Sequence, residues 1–123
     1  MIIALNALAV TLQAFTNFTG ETDVQIQTVQ TFLVVALGGN PSRDELARQI
    51  GLTQPAVSRN LKKMCEAPRG QEGYGLITMD LDPMDHRRRI TKLTTRGHEL
   101  VRHIEEALVP PIRSHVIREL MRG

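Results

Sequence analysis

One stretch spells out two helix starts with a glycine turn between them: "SRDELARQIGLTQPAVSRNLKKM", Ser42 to Met64. Ser42 stands where an N-cap belongs, and Glu45, three residues on, completes a capping box. Leu46, Ala47 and Ile50 give the first helix an apolar face. Gly51 stops it, because glycine takes the left-handed conformation that closes a helix at no steric cost. After the turn Gly51-Leu52-Thr53, Thr53 caps a second helix, expected over 54–66. Pro55 falls in its first turn, where the missing N–H has no helical partner in any case. Val57, Leu61 and Met64 recur at helical spacing and face inward with Leu46 and Ile50. The opposite face carries Gln54, Pro55, Ser58, Arg59 and Lys62, with no carboxylate. Two short helices on a three-residue turn make a helix-turn-helix.

The flanking sequence is consistent with one domain. Leu5, Leu8, Leu12 and Phe15 trace the seam of an amphipathic helix that Gly20 ends. A further helix is predicted from Asp23 to Leu37. Thr22 or Asp23 would cap it, and Val29, Phe32, Leu33, Ala36 and Leu37 would form its apolar face. Gly38-Gly39-Asn40-Pro41 breaks the chain. Beyond the second capped helix lies a Gly/Pro loop, 67–75. "LITMDL" and "RITKL" then read as two strands of a hairpin with "DPMDHRR" at its tip. A long helix begins at Thr95, with Leu100, Val101, Ile104 and Leu108 on its apolar side. Pro110-Pro111 is expected to kink or break it.

Charge is distributed unevenly. The net is +2, yet residues 1–40 hold only Glu21 and Asp23. Residues 41–97 hold eleven Lys/Arg against seven Asp/Glu, a net +4, and residues 98–123 balance at four and four. A basic excess confined to the helix-turn-helix and hairpin is the footprint of a phosphate-contacting face. Aromatic residues make up 3% of the chain and Trp is absent, which argues against a base-stacking platform for single strands.

The second helix has the diameter to enter the major groove of duplex DNA with its N-terminal residues leading. There Gln54 can pair with an adenine edge, Arg59 with guanine and Ser58 with either, while Pro55 and Ala56 can meet a thymine methyl. Arg43, Lys62 and Lys63 suit phosphates, which supply affinity and salt dependence without sequence information. At the hairpin tip, Arg87 or Arg88 can reach a minor groove. Asp82 and Asp85 shape the tip, and Asp85 can aim the Arg87 guanidinium.

These residues resemble the MarR family of winged helix-turn-helix transcriptional regulators. The resemblance spans about residues 42–100 and rests on "DELARQIGLTQPAVSRNLKKM", then "GLI", then "DPMDHRRRITKLTTRG", in that order. The family wing pattern D-P-x-D-R-R is matched by Asp82, Pro83, Asp85 and Arg87, with His86 in place of the first arginine. The L-T-x-x-G that follows is matched by Leu93, Thr94 and Gly97. About seven additional residues separate Glu66 from Gly75. The resemblance implies a mainly α (α+β) fold: a single domain over 1–123 with a winged helix-turn-helix core at 42–97 and dimerisation helices at 1–20 and 98–123. It also implies a homodimer, whose two-fold symmetry predicts a pseudo-palindromic operator with half-sites about one helical turn apart. Ile112, Val116, Ile117 and Leu120 offer a second apolar seam compatible with such a dimer. Whether an effector ligand binds is open.

Other chemistries find little support. Cys65, the lone cysteine, follows Leu61 by one helical turn and is expected to be buried and inert. A single cysteine suits a reducing, cytoplasmic setting. His98, His103 and His115 are not spaced as a ligand set, and no catalytic triad or phosphate-cradling glycine loop is present, so neither an enzyme nor a metal or other cofactor is expected. The opening "MIIALNALAVTLQAF" lacks a basic start and is interrupted by Asn6, Thr11 and Gln13, so it reads as neither a leader nor a segment long and apolar enough to span a bilayer. The competing reading is a winged-helix protein-interaction module, since fold alone does not settle function. Such a module would show exposed apolar anchors on the second helix.

Overall fold

The computed structural model describes residues 2–65 and 73–122. The described elements are α1 (Ile2–Thr19), α2 (Ile26–Ala36), α3 (Arg43–Ile50), α4 (Gln54–Met64), β1 (Ile77–Leu81), β2 (Arg89–Leu93) and α5 (Thr95–Arg122). They fall into two compact units. One is Asp23–His98; the other combines Met1–Thr22 with Glu99–Gly123.

The first unit holds the helix-turn-helix and the wing. β1 and β2 pair antiparallel, with Ile77 opposite Leu93 and Leu81 opposite Arg89. Its core draws Val29, Phe32 and Val35 from α2, Leu46 from α3, Val57, Leu61 and Met64 from α4, and Leu76, Ile77 and Ile90 from the base of the wing. Burying side chains of this size contributes about 1.5–3 kcal/mol each before entropy is counted.

α2 differs from expectation at both ends. It starts at Ile26 behind an extended Gln25 that makes no side-chain cap bond, so neither Thr22 nor Asp23 caps it. Leu37 is 88% exposed rather than buried. The buried face is turned toward Thr28 and Thr31. Both hydroxyls are satisfied there: Thr28 donates to Asn60 Oδ1 at 2.9 Å and Thr31 to the Gln27 carbonyl at 2.8 Å. Asn60 in turn donates to the Ala56 carbonyl at 3.0 Å. A hydrogen-bonded threonine is inexpensive to bury, and a pattern built on apolar letters alone passes over it.

In the second unit, Ala14 and Phe15 of α1 and Leu100 and Ile104 of α5 are buried. Much of the remaining apolar surface is open to solvent, from Ile2 (76% exposed), Leu5 and Leu8 on α1 to Ile112, Val116, Ile117 and Leu120 (75% exposed) on α5. Two expectations are revised here. Of the kink or break expected at Pro110-Pro111, the break does not occur: α5 is one helix over Thr95–Arg122. Each proline removes one N–H, leaving the Glu106 and Ala107 carbonyls without their helical donors, and the helix accommodates the loss. α1 continues to Thr19, and its 18 residues at a mean hydropathy of 1.4 do reach the length and apolarity of a membrane-crossing helix. Thr11, one of the residues expected to interrupt it, donates within the helix to the Ala7 carbonyl, as Thr16 does to Leu12 and Thr19 to Phe15. The mostly buried core helix of a soluble protein and a leader near an N-terminus pass the same test, and 11% of this window is buried.

Candidate nucleic-acid interface

Local capping chemistry sets the helix-turn-helix. The Glu45 N–H donates to Ser42 Oγ at 3.3 Å and the Ala56 N–H to Thr53 Oγ1 at 3.3 Å, which fixes the first turns of α3 and α4. Gly51 closes α3 at φ 79°, and both its N–H and that of Leu52 donate to the Ala47 carbonyl. α4 ends at Met64, because Cys65 leaves helical conformation (φ −79°, ψ 162°) and makes a bridge to Ile77. The helix is therefore shorter than the expected 54–66, and residue 66 lies outside the described residues. The same is true of 67–72 in the additional loop. The returning chain donates from Tyr74 to the Lys63 carbonyl and from Leu76 to the Met64 carbonyl, satisfying carbonyls at the end of α4.

Gln54, Pro55, Ser58, Arg59, Lys62 and Lys63 all lie exposed on one side of α4, and Arg43 is exposed on α3. Among the described residues, Arg43, Arg59, Lys62 and Lys63 form no ion pair. Ala56 is buried, so it packs in the core and is not presented to a thymine methyl. The reason is geometric: residues 56, 57, 60, 61 and 64 form the inward stripe, and Ala56 falls within it.

At the wing tip, two aspartates build successive turns. Met84 N–H donates to Asp82 Oδ1 at 2.9 Å and Arg87 N–H to Asp85 Oδ1 at 3.1 Å, each two residues on. Asp82 N–H donates to the Arg88 carbonyl at 2.8 Å, and Arg88 N–H to the Asp85 carbonyl at 2.9 Å. Asp85 also holds the Arg87 guanidinium, with Nε 3.2 Å from Oδ1, and the Arg87 side chain is 93% exposed. Arg88 differs: its guanidinium turns back to Glu45 of α3. The capping-box carboxylate is thus shared with the wing. β2 is also pinned nearby, where the Thr91 hydroxyl and N–H both donate to the Pro41 carbonyl, at 2.7 and 3.0 Å.

Several contacts were not visible in the sequence. Gln54 Nε2 donates to Asp44 Oδ1 at 2.9 Å, which places an α3 carboxylate beside the first residue of α4. Asp44, Glu45, Arg43, Arg48, Gln54 and the three wing arginines line an open cleft of about 720 Å³. The Leu93-Thr94-x-x-Gly97 signal has a structural cause. Thr94 Oγ1 donates to the Gly75 carbonyl at 2.6 Å and accepts from Gly97 N–H at 3.0 Å, so it caps α5 while tying it to the strand entrance. Cys65 is half-buried. Burial raises its thiol above the ordinary value, with Arg43 pulling weakly the other way.

The arrangement of α2 to β2, two capped helices followed by a two-stranded wing, is the winged-helix fold of MarR-like transcriptional regulators. No protein-family model and no curated protein matches the chain, whereas solved structures do. A complex of S. aureus MepR with DNA is 20% identical at a TM-score of 0.65, over 98% of this chain and 90% of that one. A MarR-like transcriptional regulator from Thermotoga maritima is 22% identical at a TM-score of 0.66, over 92% and 80%. S. aureus MepR bound to ethidium bromide is 20% identical at a TM-score of 0.65, over 95% and 77%. The likeness is one of fold.

Proposed function

We propose that the chain is a sequence-specific, double-stranded DNA-binding transcriptional regulator that acts as a dimeric repressor in the cytoplasm. α4 reads the major groove and the wing enters the adjacent minor groove. One observation carries this reading: the exposed face of α4 is polar and basic, with Arg59, Lys62 and Lys63 unpaired among the described residues. Gln54, Pro55, Ser58 and Arg59 are assigned to base edges, Arg43, Lys62 and Lys63 to phosphates. Arg87, exposed and steered by Asp85, is assigned to the minor groove. Arg88 serves the wing from its base, through Glu45, and reaches DNA only by exchanging that partner. The same α4 face lacks the apolar anchors of a protein-docking helix, which disfavours an interaction module.

Dimerisation rests on the exposed apolar surfaces of α1 and α5, which a second copy would cover. Two-fold symmetry then calls for a pseudo-palindromic operator. The MepR complex with ethidium bromide makes a small-molecule effector worth testing, without assigning one to this chain.

The test is binding of the purified chain to duplex DNA from upstream of its own gene, against random duplex, at several salt concentrations. Site preference that persists as salt rises supports the reading. Equal affinity for both duplexes at every salt concentration refutes it. Sedimentation of the free chain tests the dimer, and a monomer at micromolar concentration would refute that part.

A further inference from the structure

We infer that Asp44 is a specificity-determining residue: by holding one amide hydrogen of Gln54, it makes Gln54 select adenine over guanine. This inference rests on the DNA-binding reading above. A carboxylate only accepts hydrogen bonds, so the Gln54 atom 2.9 Å from Asp44 Oδ1 is the amide nitrogen. That contact also fixes which way the amide faces. A glutamine amide has two N–H donors and one carbonyl acceptor. With one donor engaged by Asp44, one donor and one acceptor remain.

That remainder is the complement of adenine, which shows an acceptor at N7 and a donor at N6 in the major groove. Guanine shows two acceptors, N7 and O6. A glutamine with both hydrogens free can offer two donors to guanine, but one held by Asp44 cannot, and its carbonyl would then face O6. Both residues are exposed at the leading edge of the helix-turn-helix. Gln54 is the first residue of α4 behind its Thr53 cap, and Asp44 lies in the first turn of α3. The Asp44 charge has a separate consequence. It repels phosphate and lowers affinity for every duplex alike, so charge and hydrogen bonding are separable by substitution.

The experiment uses the full chain and its operator duplex, with each base pair replaced in turn. Gln54→Ala identifies the position that Gln54 reads, as the one where discrimination is lost. There the unsubstituted protein is expected to favour adenine over guanine by roughly tenfold or more. Asp44→Ala should bind all duplexes more tightly while that ratio falls close to one. Asp44→Asn keeps an acceptor oxygen and loses the charge, so it should gain the same general affinity and retain the ratio. A purely structural role for Asp44 would not separate these two variants. Retention of the ratio in Asp44→Ala, its loss in Asp44→Asn, or the absence of any position that depends on Gln54 overturns the inference while site-specific binding itself stands. Absence of site preference in the unsubstituted protein overturns the DNA-binding reading as well, and is recognisable as that separate result.

Discussion

Replacing Gly97 by alanine should destabilise the protein, although the residue lies in a helix. Gly97 is the third residue of α5, where alanine is ordinarily preferred to glycine by about 1 kcal/mol. An added Cβ, however, would stand 2.3 Å from the Leu76 carbonyl oxygen and 3.1 Å from Leu93 Cδ2. The Leu93 side chain can shift. The Leu76 carbonyl cannot do so freely, because it accepts the Thr94 N–H at 3.0 Å, and the Leu76 side chain is buried. Forcing a methyl group into such a contact typically costs 1–3 kcal/mol, and more where backbone must move. Because the contact at 2.3 Å is with backbone, the upper part of that range applies, about 2–3 kcal/mol; the helix preference offsets about 1 kcal/mol, leaving a net loss of about 1–2 kcal/mol or a fall in Tm on the order of 4–12 °C. Urea unfolding followed by circular dichroism, at matched protein concentration so that any dimer linkage is equal, measures it. Glu99→Ala, at an exposed position two residues later, serves as a control for general perturbation of the helix start. An unchanged or raised midpoint in Gly97→Ala would show that the strand entrance is not packed against α5 as described.

Arg87→Ala should weaken operator binding by on the order of tenfold and lower the salt slope, because an exposed cation near phosphate is lost; titration of one duplex at several salt concentrations checks this, and an unchanged slope refutes it. A double-mutant cycle on Glu45→Gln and Arg88→Gln should give a coupling of about 0.5–1 kcal/mol in stability, modest because the pair is partly exposed, and zero coupling would mean that the wing is not tethered there. Thr28→Val should cost about 1–3 kcal/mol by leaving the buried Asn60 carbonyl oxygen without its 2.9 Å donor, measured by urea unfolding. For Cys65 the folded protein keeps its thiol proton above the ordinary value of 9.0, whereas the unfolded chain releases it there. The folded state then binds more protons, so stability falls as pH rises past about 9. Cys65→Ala should flatten that fall, and equal slopes in the two proteins would refute the burial effect.

The parts of the fold legible in the sequence are those whose cause is local. Ser42 and Thr53 cap the helices they precede because a hydroxyl reaches an N–H three residues on, with no help from the rest of the chain. The aspartates of the wing tip bond backbone two residues ahead, so Asp82 and Asp85 could be read in the same way. What escaped the sequence depends on distance along the chain. The buried face of α2 follows from Thr28 meeting Asn60, 32 residues away, and no helical periodicity contains that fact. α5 continues through Pro110-Pro111 because a helix can tolerate two missing donors, and local preference alone does not separate a kink from a break. The two acids at the start of α3 show the difference most sharply. Locally, Asp44 and Glu45 are ordinary first-turn residues that complement the helix dipole. In the fold, one meets the leading residue of α4 and the other the base of the wing. The carboxylate-free face of α4 is therefore bordered by two carboxylates from its neighbour. Asp44 holds Gln54, which the proposed reading assigns to a base edge, and Glu45 holds the base of the wing through Arg88, so on that reading the DNA-facing surface is set by α3 as well as by the helix that enters the groove.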